Sequence, residues 1–160
     1  MRYFIVRRFI VLCALLGSFL ALPAFAIPGV GALYAGVGTH TYSGFPGQAS
    51  TSYGGTLEFG LDDLVAKFGL GVRLDLPTFK SFDPAANIEL RYSVFSVPMF
   101  RALVGAFGGV QKGVGFNGMY GLFAAARVSL GLPYIGLNLG GQGVNSDLSA
   151  FGQITLGVVF

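Results

Sequence analysis

The segment Phe151-Gly-Gln-Ile-Thr-Leu-Gly-Val-Val-Phe160 places Ile154, Leu156, Val158 and Phe160 on one face and Gln153, Thr155 and Gly157 on the other. That period of two is the signature of a strand with one apolar face. Such a strand separates two environments, and the rest of the chain has to say which environment lies on which side.

At the opposite end, Arg2, Arg7 and Arg8 precede an apolar run over residues 9–22 and the small-x-small stretch Ala24-Phe25-Ala26. These are the three regions of a secretory signal peptide, with cleavage expected after Ala26. A run of about fourteen apolar residues is shorter than the roughly twenty a spanning helix needs. The domain division expected is therefore a signal peptide over residues 1–26 and a single domain over 27–160. Cys13, the only cysteine, falls in the first part, so no disulfide or thiol chemistry is expected of the second. Three of the ten basic residues also lie there, which leaves seven to face seven acidic ones. That balance removes the electrostatic case for nucleic acid as a partner.

Only about 10% of residues 27–160 are charged, against a soluble norm near 25%. Yet no segment in that range offers eighteen unbroken apolar residues, and residues 119–126 stop at Arg127. An apolar chain without spanning helices that alternates at period two can cross a bilayer only as a closed barrel, because closure pairs every backbone group. Eight segments fit, over residues 32–41, 53–61, 64–76, 86–95, 101–111, 119–130, 134–143 and 148–160. The predicted fold is an all-β, eight-stranded, antiparallel up-and-down barrel. Asp62-Asp63, residues 96–100 and residues 131–133 would be the compact turns at one end of the barrel, with longer loops at the other over residues 42–52 and 77–85.

Residues 86–95 sort most clearly, with Ile88, Leu90, Tyr92 and Val94 opposing Asn87, Glu89, Arg91 and Ser93. A Lys or Arg on the lipid face near the midplane costs roughly 2–4 kcal/mol, so the charged face is the lumen. Six residues are expected to form a lumenal network: Glu58, Lys67, Arg73, Glu89, Arg91 and Arg127. A two-residue turn at Asp62-Asp63 sets Glu58 opposite Lys67, and the loop lengths set Arg73 opposite Glu89 and Arg127 opposite Asn138. Gly36, Gly38, Gly69, Gly71, Gly136, Gly140 and Gly157 share the inward register and leave room for long side chains. Phe95, Tyr134 and Phe160 below, and Tyr53, Tyr120 and Phe151 above, are expected to form interfacial girdles.

Taken together, the leader, the eight alternating segments and the terminal Phe160 resemble the small Gram-negative outer-membrane barrels: the membrane domain of outer membrane protein A, and the OmpX and opacity-type proteins. That resemblance implies a bacterial outer-membrane location, contact with outer-membrane lipid, and an assembly signal at Ile154, Leu156, Val158 and Phe160 read by the barrel-assembly machinery. The usual signal has glycine where this chain has Thr155, with a glycine instead at Gly157.

Two motifs invite chemistry. The spacing of residues 113–118 matches a dinucleotide-binding loop but lacks the strand–helix setting and the downstream acid that would hold a nucleotide. His40, with Ser43, Ser50, Ser52 and Asp75 as neighbours, has the composition of a lipid hydrolase site, as in some small outer-membrane barrels. Its early position and the following Thr41-Tyr42 do not match the His-x-Ser pair of the deacylases. The expectation is a non-enzymatic barrel, a monomer, with no catalytic residues, cofactor or metal and a structural or surface-interaction role. An extracellular ligand would meet loops 42–52 and 77–85. A narrow pore for small solutes is the first alternative and a lipid-modifying hydrolase the second.

Overall fold

The computed structural model describes residues 32–44, 51–76, 84–112, 115–145 and 147–160. They form eight strands: β1 (Leu33–Gly44), β2 (Ser52–Val65), β3 (Phe68–Leu76), β4 (Ala85–Val97), β5 (Phe100–Lys112), β6 (Phe116–Ser129), β7 (Pro133–Val144) and β8 (Asp147–Val159). Each pairs antiparallel with its sequence neighbour, and β1 pairs with β8 to close the barrel. Residues 1–26, and most of the two long loops, lie outside the described residues.

Alternation governs the wall. In β4 the pattern is strict, with Asn87, Glu89, Arg91 and Ser93 buried and Ile88, Leu90, Tyr92 and Val94 exposed. The barrel is thus inverted relative to a water-soluble one: large aliphatic side chains cover its outer face, and the charges of its strand interiors point inward. The interior is not uniformly polar, however. Leu103, Phe107, Phe123 and Phe151 point into it from β5, β6 and β8 and pack in one cluster with Tyr42 and Met119.

The β2–β3 connection differs from the expected one. β2 runs through Asp62-Asp63 by way of an irregularity between Leu61 and Val65, and the turn is Ala66-Lys67. Asp63 and Ala66 adopt positive φ, 56° and 55°, which lets the chain bulge without leaving the sheet. Two acidic residues read locally as a turn, but here the Asp62 amide donates to the Ala32 carbonyl at 2.9 Å and both carboxylates bind partners inside the barrel. Glu58 consequently stands opposite Arg73 and not Lys67, which is exposed in the turn.

Register differs elsewhere too: Arg73 pairs with Asn87, and Arg127 with Gly136. Two expected girdle residues are also interior. Tyr134 shares its parity with Gly136 and Asn138, and Phe151 with Gln153 and Thr155, so both are buried in the lumen. Tyr53, Tyr120 and Phe95 do lie on the outer surface. The inward glycines make room for these rings: a Cβ at Gly36 would collide with the Tyr134 hydroxyl, and one at Gly71 with the Tyr34 hydroxyl.

A candidate functional site in the barrel lumen

Glu58 on β2 is the point where the interior converges. It is 2% exposed. Its Oε1 accepts from the Tyr134 hydroxyl at 2.7 Å and the Thr155 hydroxyl at 3.0 Å, while Oε2 accepts from Arg91 Nη2 at 3.3 Å and Gln153 Nε2 at 3.4 Å. Arg127 Nη2 lies 4.0 Å away. One carboxylate therefore joins side chains from β2, β4, β6, β7 and β8. A buried charge is tolerable only with such a full complement of partners.

Toward the end that carries the start of β1 and the close of β8, Asp62 takes over. It is bound by Arg127 Nη1, and by Arg101 Nη1 at 2.9 Å. Arg101 also reaches Asp63 at 3.0 Å, and the Ser93 hydroxyl donates to Asp63 at 2.6 Å. Toward the opposite end, Glu89 lies between Arg91, which donates to it through Nε at 2.9 Å, and Arg73, whose Nη1 is 2.9 Å away. Arg73 Nε donates in turn to Asp75 at 2.8 Å, and Asp75 also accepts from Thr56 at 2.7 Å and Asn87 at 3.1 Å. The His40 Nδ1 is 3.6 Å from the same carboxylate, with its ring against Tyr42 at 4.4 Å between centroids.

Among the described residues the interior thus holds four buried carboxylates, Glu58, Asp62, Asp75 and Glu89, against three buried guanidinium groups and the half-buried Arg101. Aromatic faces complete the packing. Arg73 sits over Phe107 at 4.4 Å, Arg91 over Tyr34 at 4.4 Å, and Arg127 over Tyr34 at 4.2 Å and Tyr134 at 4.6 Å. Cation–π contacts of this kind are strongest where water is excluded.

Of the six residues expected to face the lumen, Glu58, Arg73, Glu89, Arg91 and Arg127 meet there, and Lys67 does not. Asp62, Asp75, Arg101, Tyr34 and Tyr134 belong to the same network without having been expected in it. Parity along each strand held that information: Asp62 follows Glu58 and Gly60, and Tyr34 precedes Gly36, Gly38 and His40. At the seam, Ile154 and Leu156 face outward, and the Phe160 amide donates to the Leu33 carbonyl at 2.8 Å. His40 is buried in the lumen beside Asp75, Ser43 lies within β1, and residue 50 is outside the described residues. Of the nucleotide-like spacing of residues 113–118, residues 116–118 open β6, which pairs antiparallel with β5, and residues 113 and 114 lie outside the described residues.

No protein-family model matches the chain, and no curated protein matches it in sequence. Among solved structures it is similar to Ail, the attachment invasion locus protein of Yersinia pestis, crystallised with the heparin analogue sucrose octasulfate. The TM-score is 0.50 at 9% identity, over 81% of this chain and 99% of that one. The chain has the fold of an eight-stranded outer-membrane β-barrel. At 9% identity the likeness is one of fold alone.

Proposed function

We propose that this chain is a non-enzymatic outer-membrane barrel, exported by a leader cleaved after Ala26, whose role is structural or surface-interacting. The observation that carries this reading is the Glu58-centred network, which draws side chains from five strands into the middle of the lumen. An eight-stranded barrel has just enough interior for side chains, and here Arg73, Arg91, Tyr34 and Tyr134 are almost wholly buried within it. The cross-section available to a solute is correspondingly small. The burial of His40 favours a structural role for that residue as well.

On this reading, function resides outside the lumen. The apolar outer face contacts lipid, the barrel-assembly machinery recognises β8 during biogenesis, and an extracellular ligand would meet loops 42–52 and 77–85. The barrel would work as a monomer without a cofactor. Single-channel recording in planar bilayers tests it: the reconstituted barrel is expected to be electrically silent. Stepwise conductance would overturn the plugged-barrel reading in favour of a narrow pore.

A further inference from the structure

We infer that the rim of the barrel formed by the β4–β5 and β6–β7 turns is immersed in the lipid leaflet beside it, while the β2–β3 turn stands in water. This rests on the membrane location proposed above and adds to it an asymmetric contact between the terminus-bearing end and lipid hydrocarbon.

The turns differ in chemistry. Lys67 is exposed in the β2–β3 turn itself, whereas residues 94–100 carry no charge and residues 128–146 carry none either. The apolar side chains of those two neutral turns project outward: Val97 is 45% exposed, Met99 58%, Leu130 63% and Leu132 57%. Phe95 and Phe100, a ring pair 6.1 Å apart, connect them to the apolar band of the wall. A contiguous apolar surface of this kind is rare against water.

Backbone geometry supports the same placement. Turns are kept out of hydrocarbon mainly by unpaired backbone groups. Here the Met99 carbonyl accepts from the Ser129 amide at 2.9 Å, the Leu132 carbonyl from Val159 at 2.7 Å and the Pro133 carbonyl from Leu130 at 2.8 Å. Pro98 and Pro133 have no amide hydrogen to satisfy. The irregularity between Ser93 and Phe95 shifts the alternation of β4, so that Ser96 accepts a hydrogen bond from Arg101 while Phe95 and Val97 are exposed. Arg101, the one ionic group of the two turns and the strand starts they join, is held to Asp62 and Asp63.

The test uses single-cysteine variants of the full chain in a Cys13→Ser background, Leu90→Cys, Met99→Cys, Leu132→Cys and Lys67→Cys. Each is labelled with an environment-sensitive fluorophore in phosphatidylethanolamine–phosphatidylglycerol vesicles containing acyl-chain nitroxide lipid. Labels at 99 and 132 are expected to show a blue-shifted emission and at least about half the quenching seen at 90, given that the hydrocarbon core is roughly 30 Å thick; the label at 67 should show neither. Strong quenching at 90 with water-like behaviour at 99 and 132 would overturn the inference and leave the membrane reading intact. No quenching at 90 would overturn both. Blue-shifted but unquenched labels at 99 and 132 that vary with the protein-to-lipid ratio would identify a second copy of the chain as the occupant and overturn the lipid assignment.

Discussion

At the scale of single residues, this barrel is held from inside by charge. Glu58 has five partners within 4.0 Å, and removing its charge leaves Arg91 and Arg127 facing each other's surroundings with less compensation. Breaking a buried pair typically costs about 3–5 kcal/mol. Glu58→Gln, which keeps an acceptor for Tyr134 and Thr155, is expected near the lower end of that range in urea unfolding from vesicles. Lys67→Met changes a charge of the same magnitude in an exposed turn and should move stability by less than about 0.5 kcal/mol. Equal effects from the two substitutions would contradict the assignment of Glu58 as the point of convergence. The carboxylates and guanidinium groups of the lumen could be recognised one strand at a time from their alternation with apolar neighbours. Their pairing could not, because Glu58 draws on residues as far as 97 positions away in the chain.

At the scale of elements, each strand is defined by its two faces and each turn by what its backbone demands. Leu90 is outward and half exposed near the middle of β4, so Leu90→Arg should lower the unfolding free energy by about 2–4 kcal/mol in vesicles. Little change there would argue that this face does not meet hydrocarbon. Gly131, in the β6–β7 turn, holds φ at +84°, a region that costs a residue with a Cβ about 1–2 kcal/mol. Gly131→Ala is expected to destabilise by that amount while leaving strand content, measured by circular dichroism, unchanged. Asp62-Asp63 has the composition of a turn, and what keeps it in the strand is a set of partners on β4, β5 and β6. No local pattern reports on those.

At the scale of the whole molecule, closure is the defining event. The β1–β8 seam runs from Tyr34 opposite Val159 to Gly44 opposite Ser149, and Phe160 adds a last backbone bond to Leu33. Deleting Phe160 removes that bond together with its side chain. The expected outcome is impaired assembly with export intact, seen as leader-free protein in the periplasm that lacks heat-modifiable migration. Normal assembly of the shortened chain would contradict a role for Phe160 in the signal. Strand number, the inverted placement of apolar and charged side chains, and the closed architecture are all legible in the alternation of the chain. Alternation is a local property, and closure is the only solution that pairs every backbone group of such strands in a membrane. Register, the fate of Asp62-Asp63, the inward turn of Tyr134 and Phe151, and the convergence on Glu58 arise only in the closed barrel. A shift of one or two residues at a bulge changes which side chains meet across the lumen, and that shift is fixed by the combined packing of all eight strands.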